Sequence, residues 1–497
     1  MRLKIKKIPI QTGSINIAVM NKKDANKYDI FSLDRISIRK GNKKIIATVD
    51  ITKADAYVKE GELGLFEETI IALSGKTNDQ IEITIEKKPL SINYIAKKLK
   101  GEHLSEKELY EIISDINQGK LSDIELTYFV CACYAHELSL NETVGLTKAM
   151  VATGKTLKLN KKIIVDKHCI GGVAGNRTTM IVVPIIAAAG LTIPKTSSRS
   201  ITSAAGTADT VEVLCDVTFN IEKMKKIVQK TNGCFVWGGS VNLAPADDKI
   251  IKVEYPMALD PVGQLIASIL AKKKSVCATH VLIDIPVGKN AKIEDKKHAI
   301  KLKNKFEIIG KRLNMKIKVI LTDGSEPIGN GIGPSLEAKD VLLTLKNDKN
   351  QCHLLRKKSI MAAGEILELC GKAKKGKGIK IAQELLDSGI AYQKFFEIVK
   401  AQGGKEISEN QIPCAINYKE ITANKSGKIT HINNKIINKL ARLAGAPQDK
   451  GAGIYLYVHK GYTVKKGDKL FRIYSDNKER LEYTYQEFQR KDGIEIR

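Results

Sequence analysis

The chain has 497 residues, 43% of them apolar, with a formal net charge of +27. That length is more than one hydrophobic core can serve, so several domains are expected of a chain whose composition is ordinary for globular protein. No stretch approaches the roughly 18 to 20 apolar residues of a membrane span, the richest (180–191) being too short, and this excludes a membrane-spanning helix.

The nine cysteines, from Cys131 to Cys414, form no Cys-x-x-Cys pair and have no histidines at zinc spacing. This argues against a disulfide framework and a metal site, and for free thiols in a reducing, cytoplasmic compartment. Most of the excess charge is lysine, aromatics are only 5%, and no aromatic-basic motif is present. The charge therefore reads as a field that draws in phosphorylated small molecules. A basic nucleic-acid-binding protein is kept as the alternative from a different class.

The opening stretch, 1–9, alternates Lys with Leu and Ile and predicts a strand rather than a signal peptide. Further β-branched alternations at 44–51 and 80–85, separated by Gly, Asn and Lys turns, make residues 1–88 a β-rich domain that Pro89 closes. Three Ser-x-x-Glu capping boxes follow, Ser105/Glu108, Ser122/Glu125 and Ser139/Glu142. Each marks a helix start and together they predict a helical subdomain over 89–158.

From 159 to 415, buried-type strands (163–166, 279–286, 317–322) alternate with helical patterns such as 178–189. This predicts a large, mostly parallel α/β domain, whose ligands bind at the carboxyl ends of its strands. The remainder, 416–497, predicts a C-terminal α+β domain. Its 426–429 and 461–470 runs have the turn spacing of biotinyl- or lipoyl-type sandwiches but lack a carrier lysine, so a structural role, such as assembly, is expected.

Two segments of the α/β region carry chemistry. Between a strand and a helix lies Asp166-Lys167-His168-Cys169-Ile170-Gly171-Gly172-Val173-Ala174-Gly175-Asn176-Arg177-Thr178-Thr179. Its glycines let backbone N–H groups approach an anion and the helix start adds its dipole, although the pattern is neither a Walker loop nor a dinucleotide fingerprint. The second segment, Lys195-Thr196-Ser197-Ser198-Arg199-Ser200-Ile201-Thr202-Ser203-Ala204-Ala205-Gly206-Thr207, packs small hydroxyls beside an arginine. It suits a phosphate or ribose oxygen.

At this point the sequence resembles a known family. The run 166–212 is similar to the signature region of the thymidine phosphorylase superfamily, whose pyrimidine enzymes usually carry Lys-His-Ser-Thr-Gly-Gly. Lys167-His168-Cys169-Ile170-Gly171-Gly172 and Lys195-Thr196-Ser197-Ser198-Arg199 resemble its AMP phosphorylase branch. The resemblance continues through Val236-Trp237-Gly238-Gly239, Leu243-Ala244-Pro245-Ala246-Asp247-Asp248 and Leu259-Asp260-Pro261, then through Gly263 to Ser268, Asp284 to Gly288 and Leu321 to Gly324. It spans essentially the whole chain.

The resemblance implies phosphorolysis of nucleoside 5′-monophosphates: AMP and phosphate give adenine and ribose 1,5-bisphosphate, with CMP and UMP as further candidates. It assigns Asp260 as proton donor, and Gly172, Ser198, Arg199, Ser200, Ile201, Thr202, Ser203, Thr207, Ser268 and Lys292 to the substrate. By analogy with the pyrimidine enzymes it adds Lys167 and Thr179 for phosphate. Where those enzymes hold the base with arginine, this chain reads Val253-Glu254-Tyr255, although Ser268 and Lys272 still match. Thymidine or other pyrimidine nucleoside phosphorolysis is thus the second reading.

Phosphate is a co-substrate, and neither cofactor nor metal is implied. Expected partners are AMP and phosphate, with assembly into a homo-oligomer and no membrane. The resemblance also has residues 246–275 joining the helical subdomain, so that Asp260 and Ser268 face the phosphate loops across a cleft.

Overall fold

The computed structural model describes residues 1–13, 16–200, 203–257, 259–490 and 493–497. Internal packing divides the chain into two compact units, Met1–Leu138 with Lys249–Pro261, and Ser139–Asp248 with Val262–Arg497.

The first unit begins with a closed six-stranded barrel. Around the barrel the order is Arg2–Lys7, Glu62–Leu65, Ile17–Asn21, Lys43–Thr52, Arg35–Lys40 and Gln80–Ile85. The alternation at both ends of the segment has its cause here: Leu3, Ile5, Ile81 and Ile83 point into the barrel core, while the intervening lysines and glutamates face water. Closure leaves no open sheet edge.

Helices Ser91–Leu99, Glu106–Asn117 and Asp123–Ala135 follow. The boxes at Ser105/Glu108 and Ser122/Glu125 both form, each serine accepting the N3 backbone N–H while the glutamate accepts the serine's own. Arg35 of the barrel pairs with Glu125, which fastens barrel to helices within this unit. Lys249 Nζ donates to the Ile116 carbonyl at 2.7 Å, tying residues 249–261 to the second of these helices.

The third capping box, Ser139/Glu142, opens Leu140–Ala152 in the second unit, where that helix packs on Val262–Ser275. The centre of this unit is a run of parallel strands. Lys316–Asp323, His280–Val287 and Val165–Cys169 pair in that order. A parallel bridge, Ile164 to Thr192, carries the run to Ile193–Ser197 and Gly233–Trp237.

In chain order the central strand Val165–Cys169 is first. The chain then adds two strands on one side and returns to add two on the other. All five run the same way, so the loops after them emerge at one end, and the switch falls between Val165–Cys169 and His280–Val287. Helix Thr178–Ala188 is apolar all round after its two opening threonines and buried from Thr178 to Ala187, as a helix between a sheet and other helices must be.

The last part of this unit has an antiparallel sheet of Asn417–Thr422, Lys469–Ser475 and Gly453–Leu456, which Gly331–Ile332 of the preceding region extends. Gly427–Ile432 pairs with Thr463–Val464 and Ile494–Ile496, and helices Asn434–Leu443 and Lys478–Arg490 pack alongside. No described helix is long and apolar enough to cross a membrane.

Candidate functional site

Both sequence-chosen loops leave the carboxyl ends of neighbouring strands. After Val165–Cys169 the backbone turns through Gly171 and Gly172 at φ values of 92° and 86°. A Cβ at Gly172 would stand 2.1 Å from the Lys292 nitrogen, in the loop after His280–Val287. That position therefore accepts only glycine, and Gly172 and Lys292, 120 residues apart in sequence, meet at the switch point. Lys292 and Gly172 are exposed there.

The second loop follows Ile193–Ser197. A Cβ at Gly206 would stand 2.4 Å from the Ser198 carbonyl oxygen, so the loop closes tightly on itself before Thr207. Asp209 holds it from below by accepting Ser200 N at 2.7 Å and Gly206 N at 2.8 Å. Ser203 Oγ donates to the Ala205 carbonyl at 2.8 Å. Ile201 and Thr202 lie outside the described residues.

One side chain joins the two loops. Arg177, buried at the end of the first loop, donates to Thr207 Oγ1 at 3.1 Å and to the Ala205 carbonyl at 2.6 Å, and its Nε pairs with buried Glu337. Glu337 also accepts from Thr210 Oγ1 at 3.1 Å. Arg177 lies within the segment 166–179, where spacing along the chain does not distinguish it from the glycines' other neighbours.

Lys167 lies beneath the first loop with 1% of its surface exposed, and its ammonium donates to Thr178 Oγ1 at 2.7 Å. Thr178, rather than Thr179, is thus the hydroxyl it holds; Thr179 is buried one residue further into the helix. Among the described residues no carboxylate lies within ion-pair distance of Lys167. Burial, foremost, pushes its ammonium below the usual lysine range, while nearby Asp284 acts the other way. A cation at the positive end of an 11-residue helix, Thr178–Ala188, is doubly in need of an anion.

The other buried lysines have partners. Lys273 pairs with Asp166 at 2.8 Å and Lys195 with Asp166 at 3.5 Å, while Lys358 pairs with Asp284 at 3.1 Å. Burial brings Lys195 down to about 7. It also holds His168 well below the usual histidine range, with four lysines adding to the effect, so this imidazole is neutral. Cys169, where the pyrimidine enzymes have serine, is kept protonated by burial and Asp284; it accepts from Asn176 Nδ2 at 3.3 Å.

Arg199 differs from Lys167. It contacts Asp209 at 3.1 Å, pairs with Glu212 and stacks on Trp237 at 5.0 Å. Ser268 and Lys272 lie four apart on helix Val262–Ser275, and so on one face, with Lys272 paired to Asp247 at 2.6 Å. Gln264, one turn earlier, is buried with neither amide atom hydrogen-bonded. Asp260 is exposed, between helices Pro245–Met257 and Val262–Ser275. Among the described residues no three His, Cys, Asp or Glu side chains are grouped to hold a metal.

Two loops rich in donors thus stand at the carboxyl ends of parallel strands, above a buried ammonium, on a fold met in other enzymes. Residues 92–154 match the helical bundle domain of the glycosyl transferase family and residues 161–392 its a/b domain. Residues 428–495 match the pyrimidine nucleoside phosphorylase C-terminal domain. The anthranilate phosphoribosyltransferase of Thermus thermophilus shares the fold, with a TM-score of 0.53 and 18% identity over 62% of this chain and 99% of that one. The class is therefore that of glycosyl transferases built from a helical bundle and an α/β domain.

Within that class the full-length relatives are specific. AMP phosphorylase of Pyrococcus furiosus is 44% identical, and that of Thermococcus kodakarensis 42%, each over 100% of this chain and 98% of the relative. A Legionella pneumophila protein bearing the name "Putative thymidine phosphorylase" is 44% identical over 93% of this chain and 88% of its own. The chain belongs to the AMP phosphorylase family.

Proposed function

We propose that this protein cleaves nucleoside 5′-monophosphates with inorganic phosphate, turning AMP into adenine and ribose 1,5-bisphosphate. The observation that carries the reading is Lys167, a buried ammonium at a helix N-terminus with a hydroxyl beside it and, among the described residues, no carboxylate within ion-pair distance. An unpaired cation in that setting is costly unless an anionic ligand completes it.

In this reading phosphate lies against the Gly172 turn, held by Lys167 and by hydroxyls of the Ser198 to Thr207 loop. Thr178 joins this set and Thr179 becomes secondary. The attack passes through an oxocarbenium-like sugar, so alignment and charge complementarity supply most of the acceleration. Lys292, beside Gly172, takes the 5′-phosphate, and Ser268 completes the nucleotide site.

Asp260 donates the proton to the departing base. Protonating the base neutralises the negative charge that would otherwise develop on it as it leaves. Thymidine phosphorolysis is the second reading, favoured by the Legionella relative and opposed by Val253-Glu254-Tyr255, which offers no arginine for a pyrimidine. The deciding experiment measures adenine release from AMP with and without phosphate beside thymine release from thymidine. Phosphate-dependent loss of thymine alone would overturn the first reading.

A further inference from the structure

The C-terminal segment enters none of the steps above, yet it touches both anion loops. Helix Asn434–Leu443 presents two asparagines one turn apart. Asn434, with 0% of its surface exposed, accepts the Ala174 N–H of the first loop at 3.0 Å and donates to the Gly324 carbonyl at 3.0 Å. Asn438 accepts the Ala204 N–H of the second loop at 3.2 Å. Both acceptors thus serve backbone groups of the anion loops, on opposite sides of the Arg177 link.

Packing repeats the pattern. Ala174 and Ala204, at 1% and 0% exposure, belong to the same apolar cluster as Ile432, Ile437, Ala441 and Ile454 of the C-terminal segment. Each anion loop therefore places one methyl group in a core that lies outside the α/β sheet, and one N–H on an asparagine of a single helix. Lys450 adds a third tie by pairing at 2.7 Å with Glu212, the partner of Arg199.

A rigid helix bonded to two loops sets the distance between them. Such a link matters when one ligand must meet donors from both, because a loop displaced by a fraction of an ångström loses its alignment with the bound oxygens. We propose that Asn434 and Asn438 are positioning residues of the phosphate site, through which the C-terminal helix holds the two anion loops in register. The proposal rests on the phosphorolytic reading for its substrate, but on these contacts alone for its geometry.

Two variants test it, Asn438→Ala, at a half-buried position, and Asn434→Asp, which keeps the acceptor for Ala174 and removes the donor to Gly324. Ser475→Ala serves as control, because Ser475 Oγ donates to the Ala444 carbonyl at 2.6 Å within the same segment and touches neither loop. Phosphate KM in AMP cleavage is expected to rise about tenfold in Asn438→Ala while kcat changes less than about threefold. Ser475→Ala is expected to lower the melting temperature with KM unchanged.

An active wild type whose phosphate KM is the same in Asn438→Ala and Asn434→Asp overturns the positioning role and leaves the phosphorolytic reading standing. If the wild type does not cleave AMP, inorganic phosphate should still raise its melting temperature and raise that of Asn438→Ala less. That result keeps the positioning role and discards the reaction. Equal stabilisation of both proteins by phosphate, or of neither, overturns the proposal.

Discussion

Lys167 and Arg199 are both cations in glycine- and hydroxyl-rich loops, and the sequence offers both for anionic oxygens, Arg199 with the substrate set and Lys167 by analogy with the pyrimidine enzymes. The fold treats them in opposite ways. Arg199 is already engaged by Asp209, Glu212 and the face of Trp237, so its charge is spent in shaping the second loop. Lys167 is buried on a hydroxyl, and among the described residues no carboxylate lies within ion-pair distance of it, the nearby Asp284 being paired with Lys358. A cation near a ligand site is informative when one asks what already neutralises it.

The largest effect should come from breaking this contrast directly. Lys167→Met is expected to lower kcat/KM for AMP cleavage about 10³-fold while the melting temperature holds or rises, since an apolar side chain replaces an unpaired buried cation. Arg199→Met should do the reverse, lowering the melting temperature by several degrees with about a tenfold or smaller loss of kcat/KM. If both substitutions remove activity and stability together, the distinction between the two cations fails.

Asp260→Asn should reduce kcat about 10²-fold, in the range of a lost general acid, and measured rates close to wild type would remove that role. Lys292→Ala sharpens the comparison from the third loop. It should weaken cleavage of AMP about tenfold while leaving adenosine nearly unchanged, as loss of one charge-assisted contact implies. Equal losses on both substrates would place Lys292 with Arg199 among the structural cations.

The smallest effect concerns His459, another cation spent on structure. Burial alone would lower it, but hydrogen bonds with Cys352 and Glu326 outweigh burial and raise it to about 9. Nδ1 meets Glu326 Oε2 at 3.2 Å and Nε2 meets Asn330 Oδ1 at 2.9 Å, the arrangement of an imidazolium donating from both nitrogens. Its folded value lies above the ordinary 6.5. The stabilisation is therefore complete below that pH and lost as pH rises through about 9. His459→Gln should cost on the order of 1 kcal/mol at pH 6 and little at pH 10 by chemical denaturation. The same cost at both pH values would show that the charge contributes nothing.

Much of this architecture could be read from local pattern. The alternation of Leu3 and Ile5 with basic residues, and of Ile81 and Ile83 with Gln80, Glu82 and Thr84, marks barrel strands because side chains in a strand alternate faces. The Ser105, Ser122 and Ser139 boxes mark helix starts because each satisfies donors within four residues. Other features lie beyond such patterns. Barrel closure, the division of the three capped helices between two units, and the hydrogen bond from Lys167 to Thr178 all depend on partners outside the local pattern. Arg177 is the clearest case, because its link between the loops exists only once Glu337, 160 residues away, is buried beside it.

The amino-acid order by itself determined the strands, the helix starts, the two donor-rich loops and the family whose motifs they match, since all of these are properties of short contiguous segments. The tertiary structure alone decided which charges remain unbalanced, which loops share an end of the sheet, and that a C-terminal helix reaches both of them. The physical reason is that neutralisation and alignment depend on distances in space, and those are established only when the parallel strands and the C-terminal core bring remote residues to within a few ångströms.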